Sequence, residues 1–487
     1  MSDALLIGVD EGSSAVKAAA FDAALRPLAE SRREKGTRHP GPGRVEQDPE
    51  EILAAVVGAV GELLEELGPD AERVAGCGLD HQGESVLAWR AGDGRALTPV
   101  VSWQDKRSTA ILERLERDGL ADRVAALSGL PLDPYFSAGK LAWLIENEPA
   151  LRGVAARGEL RLGTVDSFLC DRLGAGFETD PSTASRMALG APQLDAELLA
   201  IFGLERDWLP AIRPTCGELG ELSHADWRRS LPLRARCVDQ QAALAGTGCT
   251  RAGMTKATYG TGVFVLANAG PERPDPGGGL LPTIAWEAGE RIDWAIDGGV
   301  FSAGSLIDFL TSGLGFASDP AELIAAAELA PDSGGVRVLP ALAGAGAPWW
   351  RPGARGVIAG LVGASTPAQI ARAALEAIAW RVADITDLVE DRDPTATLRV
   401  DGGLTRSDLL LQLQADASGM PVERIATDAT VAGAAALAAV GAGVLDSPAE
   451  IEPLIAIQAR VEPRLGAGER EAARAEWRGF AERALTL

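Results

Sequence analysis

Two short stretches of this chain combine a free backbone with hydroxyl side chains in the way phosphate oxygens demand. Residues 4–21 read LLIGVDEGSSAVKAAAFD and residues 256–270 read KATYGTGVFVLANAG. Each has an apolar run, a turn of small residues carrying Ser or Thr, and a second apolar run. Glycine lets a backbone come close to a ligand, and successive free amides beside hydroxyl donors form a concavity for anions. Two such turns in one chain point to two lobes facing one nucleotide. A further polar cluster, DHQGE at 80–84, interrupts an apolar stretch, and the GlyGly pair at 402–403 follows the apolar run ending in Asp401. A helix opening beside such a pair suits a nucleotide phosphate or ribose.

The elements that must position these groups alternate between strand and helix. Strands are expected over 4–9 and 16–21 around Gly12, and an amphipathic helix with acidic surface positions over 49–67. Strands over 74–79 and 85–89 bracket DHQGE, which places it at a strand end, where open α/β sheets gather active-site residues. Helices follow over 109–117, 137–147 and 164–173, and the breaker-rich stretch 214–236 reads as a surface excursion before the strand that delivers Asp239. The strand-rich pattern restarts after 249, so residues 1–248 are assigned to a first lobe and 249–487 to a second. Within the second, 268–280 reads as a loop, and 366–389 as a helix capped by Thr366 with Pro367 at its first position. Thr405 with Asp408 reads as a capping-box-like start for a later helix.

Composition narrows the partners. At 487 residues the chain exceeds one usual hydrophobic core, and 46% hydrophobic with 24% charged residues is an ordinary globular balance. A formal charge of −23 opposes nucleic-acid or anionic-membrane binding, which needs clustered Lys and Arg. Nucleotides stay open, because backbone amides and a metal ion supply the local positive field. The five cysteines are scattered without CxxC spacing, so neither a disulfide framework nor a zinc site is expected. With no basic-then-apolar leader and no unbroken apolar run of roughly 18 residues, a cytoplasmic protein without a membrane partner is expected. Both a monomer and a homo-oligomer remain open.

Nine motifs run along nearly the whole chain: DEGSSAVK at 10–17, SWQDKR at 102–107, DPYFS at 133–137, TDPSTASR at 179–186, DQQAAL at 239–244, TYGTG at 258–262, GAPWW at 346–350, ARAALEAIA at 371–379 and VDGG at 400–403. In these residues the chain resembles the FGGY family of carbohydrate kinases, and within it is most similar to the members that act on glycerol. One motif alone could arise by chance, whereas nine in family order are a specific signal. The resemblance implies an α/β fold of two lobes of the actin and hexokinase type, with ribonuclease H-like duplicated domains closing over ATP, Mg²⁺ and a small polyol or sugar.

Phosphoryl transfer to an alcohol needs a base near the hydroxyl, a cation to neutralise the phosphates, and a site that shuts out water. By resemblance Asp239 is the base; its local sequence equally fits a helix N-cap. Asp10, with Asp239, would hold Mg²⁺ through water, the alternative for Asp10 being a turn aspartate. Gly12, Ser13, Ser14 and Lys17 would meet the β and γ phosphates, and Gly260, Thr261 and Gly262 would grip the γ phosphate from the other lobe. Lys17 would otherwise be a snorkelling edge charge. Gly304, Asp308, Gly403 and Ser407 mark the adenosine side, where Gln and Asn are usual at 308 and 407; for Gly304 and Gly403 the alternative is close packing of small residues.

The acceptor pocket implied by the resemblance is lined by Glu84, Trp103, Tyr135, Asp239, Gln240 and Phe264. Carboxylates there would accept hydroxyl protons while aromatic faces cover C–H edges. Gly83 is a departure, since members acting on glycerol usually carry Arg at that place. Glycine there is expected to open space and to weaken glycerol binding or admit a longer acceptor such as a tetritol, unless Lys106 or another cation fills the gap. His81 reads as a structural hydrogen-bonding residue or a substrate contact. The expected activity is ATP-dependent phosphorylation of a primary hydroxyl. The alternatives are a kinase of xylulose-type ketoses, and a non-catalytic actin-like ATPase on the same fold.

Overall fold

The structure is a computed structural model that describes residues 3–389 and 396–487. Its first sheet has six strands in the order Glu221–Leu222, Leu231–Val238, Val74–His81, Leu5–Glu11, Ala15–Asp22 and Pro27–Glu34. The central strand Leu5–Glu11 runs parallel to Val74–His81 and antiparallel to Ala15–Asp22. Its near-continuous apolar run fits a strand covered on both faces. One cover is the helix Pro49–Leu67, which buries Ile52, Val56, Val60, Leu63 and Leu64 and starts where Asp48 accepts a hydrogen bond from the Glu50 amide.

A helix from the far end of the chain, Ala429–Gly441, packs against the same sheet and against the helix Asp239–Gly246. Its sequence, ATVAGAAALAAVG, lets backbones touch. A Cβ added to Gly8 would stand 2.0 Å from the Val431 carbonyl oxygen, and one on Gly78 2.0 Å from that of Ala434. Between the two helices the fit is as close: a Cβ on Gly246 would meet the Ala429 oxygen at 1.8 Å, and one on Gly433 the Ala242 oxygen at 1.8 Å. Residues from the second half of the chain therefore complete the core of the first sheet.

The second sheet has seven strands in the order Leu281–Ala288, Arg291–Val300, Val263–Gly270, Thr255–Tyr259, Leu398–Asp401, Val422–Ile425 and Ile457–Val461. A third sheet of five strands, Arg38–Gly41, Arg44–Gln47, Val100–Val101, Val86–Arg90 and Leu160–Thr164, is inserted in the first half. The apolar runs either side of DHQGE thus belong to different sheets, and the segment between them turns the corner.

Four local expectations need adjustment. The strand Leu231–Val238 begins inside the stretch read as a surface excursion, because Leu231, Leu233 and Ala235 face a core despite the intervening Pro232 and Arg234. The strand Val263–Gly270 takes the first residues of the loop expected over 268–280. The helix expected over 366–389 spans Pro367–Thr386, with Thr366 and Gln369 forming a complete capping box. The helix Asp408–Ser418 is capped by Ser407, not by Thr405, whose hydroxyl donates instead to the Gly402 carbonyl at 2.7 Å. All five cysteines are free and buried. Among the described residues no helix is long and apolar enough to cross a membrane.

Candidate active site

The turn of the first hairpin is braced from below and open above. Gly12 donates to the Ala15 carbonyl at 3.1 Å, leaving Ser13 and Ser14 exposed. Beneath it, Gln47 Nε2 donates to the Ser13 carbonyl at 2.6 Å, and Gln82 Nε2 donates to Gln47 Oε1 at 2.7 Å and Glu11 Oε1 at 2.9 Å. The buried Lys35 ammonium pairs with Glu11. Lys17 is not a free edge charge: its Nζ lies 2.9 Å from Glu30 and 3.4 Å from Asp428.

The second hairpin presents Gly260 and Thr261 to solvent. The Gly304 amide donates to the Gly260 carbonyl at 3.0 Å, and the Ala303 and Ser305 amides donate to that of Thr261 at 3.0 and 3.1 Å. A Cβ on Gly304 would stand 2.6 Å from the Gly260 oxygen, and one on Gly262 2.5 Å from that of Val300. Both glycines are required by packing behind the turn. Asp10 and Lys17 from the first hairpin, Thr258 from the second, and Asp401, Gly402 and Gly403 share one cavity of about 780 Å³. Gly402 has φ 96° and approaches the Tyr259 backbone, whereas a Cβ on Gly403 would meet nothing within 4 Å. Asp308 is exposed at the end of the short helix Gly304–Asp308, outside the lining of that cavity. Ser407, also outside it, donates to Glu328 Oε1 at 3.0 Å and accepts from the Leu410 amide at 3.3 Å.

Carboxylates concentrate at the strand ends. Asp10 and Asp80 are register partners on adjacent parallel strands, so their side chains share a face. Burial pushes Asp10 up to about 7, with Asp428 adding to the effect. Asp80 is fully buried, and burial, the neighbouring Asp10 charge and a hydrogen bond between the two carboxyls raise it well above the ordinary carboxylate range. Asp80 opens the DHQGE segment and, one residue before the end of its strand, sits level with Asp10, which is likewise one residue from the end of its own. Among the described residues, no three His, Cys, Asp or Glu side chains converge as a direct metal-ligand set.

Asp239 is the first residue of its helix, whose N-cap is Val238; its own Oδ1 accepts from the Gln240 amide at 2.6 Å. Burial pushes Asp239 up to about 6, and the Glu84 charge adds to that. Gln240 Oε1 accepts from the buried Lys256 Nζ at 2.6 Å, which also donates to Thr258 Oγ1 at 2.9 Å. Burial lowers Lys256 to about 8.

Glu84 occupies the corner between two sheets with φ 54°, a left-handed conformation that costs a non-glycine residue about 1–2 kcal/mol. Such strain concentrates where a side chain must be aimed. Trp103 joins three predicted residues: its ring meets Tyr135 edge-on at 5.8 Å and Phe264 at 6.1 Å between centroids, and its Nε1 donates to Ser13 Oγ at 3.0 Å. Trp103 therefore links this aromatic group to the turn of the first hairpin.

The space expected beside Gly83 is occupied. A Cβ there would come within 2.8 Å of Val238 Cγ1, so the valine fills the room that a glycine alone would leave. Lys106 does not serve as the missing cation, since its Nζ donates to the Ala343 carbonyl at 3.2 Å. The cation at Glu84 is Arg186, whose Nε donates to Glu84 Oε1 at 2.7 Å. Arg186 closes the TDPSTASR motif and went unassigned because nothing in its own segment reveals the partner in space. His81 is fully buried between the Gln82 carbonyl at 3.1 Å and Thr183 Oγ1 at 2.9 Å, a structural position.

Known proteins with the same two-lobed arrangement place the chain. Residues 5–246 match the N-terminal domain of the FGGY family of carbohydrate kinases, and residues 255–442 match its C-terminal domain. A glycerol kinase of Citrifermentans bemidjiense is 41% identical over 481 residues, which is 97% of each chain. One from Thermus brockianus is 39% identical over 98% of each. The crystal structure of Plasmodium falciparum glycerol kinase with ADP superposes with a TM-score of 0.89 at 27% identity, covering 99% of this chain and 98% of that one. With both family domains matched in order along its length, this chain belongs to the FGGY family of carbohydrate kinases.

Proposed function

We propose that this enzyme transfers the γ-phosphoryl group of ATP to a primary hydroxyl of glycerol or a longer polyol such as a tetritol. The observation that carries the reading is the position of Asp239. It follows Val238, which packs against Gly83 beside Glu84, and opens a helix at the end of the strand next but one to that of Asp10; burial and the Glu84 charge push its carboxyl up to about 6. The full-length relatives named as glycerol kinases support a polyol as the acceptor.

Asp239 accepts the hydroxyl proton as the oxygen approaches phosphorus, and its raised affinity for a proton suits that role near neutral pH. Glu84 and Gln240 hold the remaining hydroxyls, and Trp103, Tyr135 and Phe264 cover the carbon chain and exclude water. The exposed turn residues Ser13, Ser14 and Thr261 receive the phosphates from two sides with their hydroxyls and backbone, with Gly12 and Gly262 shaping the turns and Gly260, whose amide donates to the Gly262 carbonyl at 2.9 Å, bracing the second. Lys17 exchanges its carboxylate partners for phosphate oxygens, and Gly403, whose Cα faces open space, lies against the nucleoside. Gly304, Asp308 and Ser407 shape the adenosine side, Gly304 by supporting the second turn and Ser407 by fixing the helix Asp408–Ser418.

The buried carboxyls of Asp10 and Asp80, side by side on adjacent strands with Asp428 and Asp239 nearby, form an acidic region that suits a hard cation with few direct protein ligands. Asp10 and Asp239 would hold Mg²⁺ in that way, with Asp80 behind them. The ion supplies charge neutralisation of the phosphates.

The test is ADP release measured with ATP and Mg²⁺ against three- to five-carbon polyols and ketoses. Release that depends on a polyol supports the reading. Dependence on a ketose alone moves the assignment to the ketose kinases of the family, and release indifferent to any acceptor removes the kinase reading.

A further inference from the structure

Arg186 follows the short helix Pro181–Ala184 and is 4% exposed. Its guanidinium lies between two acids from different lobes: Nε donates to Glu84 Oε1 at 2.7 Å, and Nη1 stands 3.0 Å from Asp297 Oδ2, on the strand Arg291–Val300 of the second sheet. Tyr135 and Phe136 flank it, each ring centroid 5.5 Å from the guanidinium carbon. Nη1 is buried and, for all its closeness to Asp297, makes no aligned hydrogen bond.

Taking a guanidinium and two carboxylates out of water is costly, and replacing such a group by apolar side chains is often neutral or favourable to stability. Stability alone therefore gives little reason for Arg186 here. What the arrangement does supply is direction. The planar fork fixes one oxygen of Glu84, on a backbone already held at φ 54°, and leaves Oε2 for another donor. The same fork reaches across to the second lobe, so the position of Glu84 depends on where Asp297 sits.

We infer that Arg186 is a positioning residue that aims Glu84 at the acceptor and, through Asp297, ties acceptor recognition to the approach of the two lobes. The inference rests on the polyol kinase reading above. Aligning the idle Nη1 with Asp297 when nucleotide draws the lobes together would tighten the grip on Glu84. Nucleotide and acceptor then strengthen each other's binding, and by linkage they do so by the same factor.

The experiment measures steady-state kinetics and calorimetric binding for wild type, Arg186→Met, Arg186→Lys and Asp297→Asn, using glycerol and erythritol as acceptors and the nonhydrolysable ATP analogue AMP-PNP with Mg²⁺. Arg186→Met is expected to raise acceptor KM on the order of 10- to 100-fold while kcat falls by less, the loss typical of a charged hydrogen-bonding partner. Arg186→Lys should recover part of that. Asp297→Asn, which keeps the Glu84 contact, should preserve analogue binding alone but reduce the mutual tightening of analogue and acceptor. The inference is overturned if a folded Arg186→Met has wild-type acceptor KM, or if Asp297→Asn keeps the full mutual tightening; should Arg186→Met fail to fold, the Lys and Asn variants decide by the same criteria. A wild type that phosphorylates no polyol would instead refute the underlying functional reading.

Discussion

Gly83 and Val238 are a matched pair: the Cβ that glycine lacks would come within 2.8 Å of the valine Cγ1. The proposed acceptor side is thus shaped by two positions distant in sequence, and altering one alone is a packing error. Gly83→Arg on its own should lower stability by about 1–3 kcal/mol and reduce activity. Combined with Val238→Gly it should fold and shift the kcat/KM ratio toward glycerol over erythritol. Thermal melts and the two kcat/KM values check this; a single variant as stable and active as wild type would show that Val238 yields freely.

Asp239→Asn removes the proposed proton acceptor without changing side-chain size. Turnover should fall roughly 100- to 10,000-fold, the usual contribution of general base catalysis. Affinity for the ATP analogue should change little. Rapid-quench turnover with calorimetric binding separates the two, and near-normal turnover would dismiss Asp239 as the base.

The carboxylate cluster sets a pH signature. Burial raises Asp10 to about 7 and Asp239 and Asp401 to about 6. In the unfolded chain such groups titrate near about 4. A group with a raised folded value stabilises fully below its unfolded value and loses that contribution as pH rises through the folded one. On this account the cation-free protein should lose stability between about pH 4 and 7. Added Mg²⁺ should therefore raise Tm more at pH 8 than at pH 5.5. Equal responses at the two pH values would argue that the cluster holds no cation.

Gly433→Val places a side chain where even a Cβ would meet the Ala242 carbonyl at 1.8 Å. Because the obstacle is backbone, neighbouring rotamers cannot relieve it, and the loss should reach about 3 kcal/mol or more. Urea denaturation checks this. Gly468→Val, at an exposed glycine with open space around its Cβ position, serves as the control and should cost far less.

Much of this was legible in the residues. The glycines and hydroxyls of the two hairpins marked two exposed turns, because a close backbone approach has few other sequence solutions; apolar spacing placed the helix Pro49–Leu67, and Thr366 with Pro367 marked the start of another to within a residue. Contacts between distant segments were not legible. Nothing near Gly83 reveals Val238, nothing near Glu84 reveals Arg186, and Asp80 becomes conspicuous once its strand is set beside Asp10. The helix Ala429–Gly441 escaped for another reason: its apolar residues lie on all sides, so no periodicity tells which sheet it covers.

That helix bears on how the protein is made. A ribosome must release more than 428 residues before the first sheet receives the cover supplied by Ala429–Gly441. Until then the nascent amino-terminal half carries an unsheltered apolar surface, the kind that recruits chaperones or aggregates. A premature stop ahead of residue 429 would thus leave an insoluble product rather than a free-standing half-enzyme, and gene fragments for expression should be cut with that dependence in mind.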